Sequence, residues 1–244
     1  EELKGEIKSA MTYPVVSLVM ICCISLGLLV FVLPQFRDIF DSLKQDMPIL
    51  TEAVMNLSDL AQSNFGLILF SVLGSILGIR MLINTHRGRR VWDALILRIP
   101  IFGPLMQKTI VSRFSGTFAT LIRSGVPILG ALEIVSKTTG NVHYSEAIEK
   151  SAEAVRQGEN LGNPLSRTKR FPPMVCRMIA IGERSGSLEQ LLEKVSQFYD
   201  SEVRSTVKQL TSLIEPFLIL IMGGVVGTMV LAMFLPLLQM IGNM

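Results

Sequence analysis

This chain of 244 residues lacks charge over three long stretches. No Asp, Glu, Lys or Arg occurs between Lys8 and Arg37, between Asp59 and Arg80, or from Pro216 to Met244. A helix needs roughly 20 mostly apolar residues to cross about 30 Å of hydrocarbon, because each backbone N–H and C=O must be paired within the helix. Each stretch meets that length, so the reading is a polytopic membrane protein. The same absence limits chemistry. Proton relays and ion paths need ionisable groups inside the membrane, and none lies deep in any stretch. That argues against a pump and excludes an intramembrane aspartyl or metal protease.

Cysteine and histidine are also scarce, with 3 and 2 residues. Cys22 and Cys23 fall in the first apolar run and Cys176 in the charged block, so no disulfide or metal spacing arises and all three read as apolar fillers. His86 and His143 have no Cys, Asp or Ser partner in local register and read as surface residues. The phosphate-cradling pattern G-x-x-x-x-G-K-[ST] is missing, since Gly182-Glu183-Arg184-Ser185-Gly186 has neither its lysine nor its glycine spacing. No catalytic residue, cofactor or metal is expected. A net charge of +3, with basic residues gathered at a membrane edge, gives no nucleic-acid groove. There is no initiator Met and no cleavable signal pattern.

What is present divides between two solvents. Mean hydropathy is +0.48, yet 18% of residues are charged and they cluster outside the three runs. Transmembrane helices are expected within 14–34, 65–83 and 215–241. The second is the most polar at its start, where Ala61-Gln62-Ser63-Asn64 leaves about 15 strictly apolar residues before Arg80, and a re-entrant segment there would overturn the topology. Arg80, Arg87, Arg89 and Arg90 follow the second run and Lys4 and Lys8 precede the first, whereas 35–64 holds only Arg37 and Lys44 as basic residues. The positive-inside rule puts the N-terminus and the block 84–214 in the cytosol and the loop 35–64 outside. Pro14 opens the first run and Pro34 closes it, and Pro216 and Pro236 repeat that spacing around the third. Such a repeat suggests a soluble domain plus exit helix used twice, with 1–13 the tail of a preceding cytosolic domain. Gly74 with Gly78 and Gly223 with Gly227 form small-xxx-small pairs suited to helix packing, although glycine is common in membrane helices anyway.

The fold class is all-α. From His86 to Lys208 apolar residues recur at helical spacing, as in Val111, Phe114, Phe118, Leu121 and Ile122, and no alternating strand pattern occurs. Breaks at Gly125-Val126-Pro127, Gly140-Asn141, Gly158 and Phe171-Pro172-Pro173 predict a bundle of about six helices. Ser187 and Gln190 read as a capping box opening a long helix over 188–214, ended at the membrane surface by Glu215-Pro216. Such a helix would carry a cytosolic displacement into the third membrane helix. Glu183 is expected to cap the helix that follows it, with a partner or cation contact as the sharper alternative.

The string Phe171-Pro172-Pro173, then Met178-Ile179-Ala180-Ile181-Gly182-Glu183-Arg184-Ser185-Gly186-Ser187-Leu188, resembles the signature of the inner-membrane platform proteins of type II secretion and type IV pilus machines. Pro100 with Gly103, Ser124-Gly125-Val126-Pro127, Asn141, Gly158, Tyr199, Glu215-Pro216 and Pro236 resemble the same family's recurring positions in order, so the likeness covers the whole chain. It implies two homologous six-helix cytosolic domains, each leading into the membrane, with this chain running from the end of the first onward. It further implies a multi-pass protein of the bacterial inner membrane at the base of a pilus or pseudopilus, without chemistry of its own. Its role there would be to couple a cytosolic hexameric assembly ATPase to the insertion or removal of pilin or pseudopilin. Other inner-membrane assembly proteins, membrane lipid and further copies of the chain are the remaining implied partners. Candidate contacts are the basic shoulder Arg87, Arg89 and Arg90 and the junction Glu183 and Arg184, with a lipid-facing shoulder as the plainer reading. Competing functions are a non-catalytic transporter subunit, which needs a polar membrane lining, and a tethered signalling module, which needs a nucleotide or phosphoacceptor motif.

Overall fold

The computed structural model describes residues 2–32, 34–35, 48–100 and 102–242. Its regular elements are all helical: α1 (Glu2–Gly27) running into a π-helical turn (Leu28–Val32), α2 (Ile49–Ser63), α3 (Phe65–Asn84), α4 (His86–Arg98), α5 (Phe102–Arg123), α6 (Ile128–Thr138), α7 (Val142–Arg156), α8 (Gly162–Arg167), α9 (Pro173–Ser185) and α10 (Leu188–Gly242). They form two compact units, one of Glu1–Ile79 with Gln209–Met244 and one of Arg80–Lys208.

Among the described residues two helices are long and apolar enough to cross a membrane by length and composition, through Ser9–Val32 in the first unit and Leu188–Leu235, which begins in the second unit and ends in the first. Helix α3 runs unbroken for 20 residues, and its apolar part Leu73–Asn84 is shorter. Neither Pro14 nor Pro216 bounds a helix: α1 passes through the first and α10 through the second and through Pro236. The expected helix end at Glu215-Pro216 is therefore corrected. Proline removes one N–H···O=C bond and crowds the carbonyl four residues back, but the turns on either side keep their own bonds, and an apolar segment has no better way to pair its backbone than to stay helical.

The residues between the first two apolar runs, expected as a loop, include α2. Its polar side chains bond to backbone carbonyls of the long helices. Thr51 Oγ1 donates to Ala232 O at 2.8 Å, Ser58 Oγ to Leu29 O, and Gln62 Nε2 to Val30 O at 3.5 Å. Leu29 and Val30 lie in the π-helical turn, where the widened backbone loosens the regular pairing and leaves carbonyls for outside donors. Buried Met55 packs with Leu29, Val54 and Met233 beside them.

The second unit holds α4 to α9, the end of α3 and the N-terminal part of α10. Its core is continuous, from Val111, Phe114 and Phe118 of α5 through Leu132 and Val135 of α6, Ile148 of α7 and Leu165 of α8 to Val175 and Ile179 of α9 and Leu192 and Val195 of α10. Helix α10 is clamped on α5: Lys108 Nζ reaches Glu202 Oε2 at 2.8 Å and Thr206 Oγ1 at 3.0 Å, the Ser112 hydroxyl donates to Asp200, and Ser196 Oγ donates to Ser112 O at 3.2 Å. The helix breaks fall where the glycines place them, with Gly125, Gly140 and Gly158 all at positive φ.

Candidate docking junctions of the bundle

The residues from Phe171 to Leu188 are built for folding rather than chemistry. Phe171 is buried, its ring 4.8 Å from Phe114 and 5.4 Å from Tyr144. Pro172 is extended, with φ −58 and ψ 143, and leaves Pro173 at the first turn of α9, where a missing N–H costs nothing. Gly186 ends α9 at φ 70, and Ser187 N–H donates to Gly182 O at 3.0 Å, the six-to-one bond of a Schellman motif. A Cβ on Gly182 would stand 2.8 Å from Leu188 Cα, so the return of the chain requires glycine there. The Ser187 hydroxyl meets that of Ser185 at 2.6 Å, so the expected capping-box bond toward Gln190 is not the one formed.

Glu183 caps a helix, but an earlier one. Its Oε2 accepts from Leu161 N–H at 2.8 Å, at the start of α8. The correction has a tertiary cause: the α9 surface is turned toward the chain entering α8, where orphan amides favour negative charge. Glu183→Gln keeps the acceptor and Glu183→Ala removes it. The expected losses in bundle stability are under about 0.5 kcal/mol and about 1 kcal/mol, read by denaturant melting. Arg184 is exposed beside it and makes no ion pair within the described residues.

The basic shoulder divides. Arg90 pairs with Glu146 of α7, while Arg87 and Arg89 are exposed and unpaired among the described residues. Asp93, which sequence reasoning missed, does the positioning. Buried between α4 and α7, it accepts from Val142 N–H at 2.8 Å, and Asn141, the N-cap of α7, accepts from His143 N–H at 3.0 Å while donating to Asp93 O at 3.3 Å. The one clue in the sequence was an acid set among apolar residues of an otherwise basic helix. His143 contributes to the same seam, its Nε2 lying 3.2 Å from Arg90 O.

A cleft of about 490 Å³ opens beside this seam, lined among others by His143, Glu146, Lys150, Arg167, Thr168 and Arg170. Glu146 and Arg167 are spent on pairs with Arg90 and Glu159, which leaves Lys150 and Arg170 as cations without an ion pair among the described residues. Its Ser151 and Thr168 hydroxyls donate to the carbonyls of Ala147 and Leu165, and among the described residues no three His, Cys, Asp or Glu side chains group to hold a metal. Burial raises the Cys176 thiol above its ordinary range, an inert arrangement. Burial also pushes the Tyr144 phenol from 10 up to about 12, Arg170 opposing. The phenol therefore ionises first in the unfolded chain, and its contribution to stability should hold below pH 10 and fall between about 10 and 12 by roughly 1.4 kcal/mol per unit. Alkaline unfolding of Tyr144→Phe should lose that slope, at the cost of about 1 kcal/mol at neutral pH for the bond to Arg170 O.

Gly74, Gly78, Gly223 and Gly227 have nothing among the described residues within 4 Å of where a Cβ would stand, so no described neighbouring helix fills these faces. The class this defines is a membrane protein whose long apolar helix continues out of a closely packed helical bundle.

The comparisons make the class specific. A family model described as "Type II secretion system (T2SS), protein F" matches residues 114–236, and the chain belongs to that family. It is 39% identical over 99% of its length to the Myxococcus xanthus "Type IV pilus assembly protein PilC", covering 58% of that protein. It is 42% identical over 100% of its length to the Thermus thermophilus protein of the same name, covering 60%. The Pseudomonas aeruginosa "Type II secretion system protein F" is 34% identical over 98% of the chain, which covers 59% of it. The chain thus spans about three fifths of the length of these relatives.

Proposed function

We propose that this protein is an inner-membrane platform for type IV pilus or type II secretion assembly. In this reading the chain enters from the cytosol, crosses at 14–34, 65–83 and 215–241, and holds its bundle on the cytosolic side, with Arg80 snorkelling to the headgroups at the end of the second span. The bundle receives the strokes of a hexameric assembly ATPase, and the membrane helices insert or remove pilin or pseudopilin subunits. The platform binds and transmits, and does no chemistry of its own.

The observation that carries this reading is α10, one helix that is clamped to α5 at one end and apolar enough to span at the other. A displacement of the bundle has a direct mechanical route along it. Exposed Arg184 and the cationic cleft with Lys150 and Arg170 offer a surface to an acidic segment of the ATPase. The open glycine faces at Gly74, Gly78, Gly223 and Gly227 offer close approach to pilin helices or to another copy of the platform.

Photo-crosslinking in the native cell tests the reading, with probes at Arg184, Lys150 and Gly223 of the full-length protein and identification by mass spectrometry. Capture of an assembly ATPase by the first two and of a pilin or second platform copy by the third is expected. Capture of transport ATPase domains or solute-binding proteins would sink it in favour of a transporter subunit.

A further inference from the structure

We propose that α4 lies in the plane of the membrane surface and anchors the bundle on anionic lipid headgroups. The helix has two faces. One is fixed to the bundle through Asp93, through the Arg90–Glu146 pair and through Leu97 against the core. The other carries Val91, Trp92, Leu95 and Ile99 at the end of the helix, 68%, 38%, 51% and 39% exposed, on one helical stripe. Arg87 and Arg98 border this stripe on one side and Arg89 on the other, and none of the three guanidinium groups has a hydrogen bond or ion pair among the described residues.

An apolar stripe with an aromatic ring, edged by unpaired arginines, is the composition of a helix that sinks its apolar side to the acyl boundary and leaves its cations at the phosphates. A water-facing surface of a soluble bundle has no use for it. Chain continuity supplies the location. Helix α3 ends its apolar run at Leu82 and Ile83, and α4 starts at once after Thr85. The corner is tight, with Thr85 N–H donating to Leu82 O at 3.1 Å and Arg89 N–H to Thr85 O at 2.8 Å. A Cβ on Gly88 would stand 1.9 Å from Leu82 O, so the corner closes only on glycine. An α3 inserted in the membrane therefore leaves α4 no slack with which to depart from the interface. Arginines on the cytosolic side meet the leaflet that carries anionic lipid, which is the charge complement of this edge. The inference rests on the membrane placement of α3 and not on the assembly role.

Trp92 is the only tryptophan of the chain, which makes its fluorescence a reporter of α4 alone. The chain is reconstituted in nanodiscs of phosphatidylcholine with or without phosphatidylglycerol, and quenched by lipids brominated at shallow or deep acyl positions or by aqueous iodide. Shallow bromolipid should quench Trp92 most, iodide weakly, and the anionic discs should favour the docked state. The R87Q/R89Q/R98Q variant should weaken docking by about fivefold per arginine and abolish the difference between the two lipid compositions. A second variant, L95D, should release the helix in both, and melting should show both bundles folded, because the three guanidinium groups are unpaired among the described residues and Leu95 is half exposed outside the core. Iodide quenching as free as that of a small indole would overturn the proposal. So would shielding from iodide and bromolipid together, which would mean that protein covers the stripe. Either failure leaves the crosslinks of the assembly role unaffected, so the two readings fall separately.

Discussion

Phe114→Ala is expected to destabilise the bundle by about 3–5 kcal/mol. The side chain has no exposed area, and its ring lies 5.6 Å from Phe118 and 4.8 Å from Phe171. Phe171 in turn meets Tyr144, so the ring cluster joins α5, α7 and the entry to α9. Truncation removes the transfer energy of the ring and leaves a cavity that three helices cannot close without breaking other contacts. Against a total stability of about 5–15 kcal/mol, that loss leaves a bundle near its unfolding threshold. Denaturant melting in nanodiscs should show the drop, and cellular levels should fall through proteolysis. Phe198→Ala is the contrast: its ring is half exposed, and about 1 kcal/mol or less is expected. Equal losses at the two positions would contradict the assignment of the core.

The second large effect is functional. Inserting Gly-Ser-Gly-Ser between Lys208 and Gln209 is expected to abolish fibre assembly while the bundle melts as before. The insertion falls after Thr206 and Glu202, the last residues that clamp α10 to Lys108, so the core loses no contact. It replaces a helix that resists bending with a flexible joint, and a displacement on one side no longer moves the other. Four alanines at the same place keep the helix, turning its register by about 40° and lengthening it by about 6 Å. They should retain part of the activity. Assembly undiminished by the flexible insert would mean that α10 transmits nothing.

Much of this could be read in the residues. The glycines at helix breaks announce themselves because positive φ excludes most side chains, and charge-free runs announce membrane helices because lipid excludes charge. The Phe-Pro-Pro and Gly182-to-Leu188 strings were recognisable because their packing tolerates few alternatives. Other features were hidden because they depend on groups distant in sequence. Whether Pro216 ends a helix is decided by the turns on both sides, not by the proline. That Thr51 of α2 reaches Ala232 O is a contact across 181 residues, which no local pattern encodes. Glu183 was expected to cap the helix that follows it, whereas its partner Leu161 is set by how α9 turns against α8. Asp93 went unread because its carboxylate serves the N-terminus of α7, 49 residues further on.

The account's central claim is transmission from the bundle to the membrane helices, and one comparison tests it most directly. A photo-crosslinker at Gly223 in the full-length protein is followed in cells with an active assembly ATPase, an ATPase blocked in hydrolysis, and the Gly-Ser-Gly-Ser insertion with the active ATPase. The account predicts that pilin or pseudopilin capture at Gly223 changes between the active and blocked enzymes, and that the insertion reproduces the blocked pattern. Identical capture in all three would contradict it, leaving the protein an anchor past which the fibre is built rather than the part that moves its subunits.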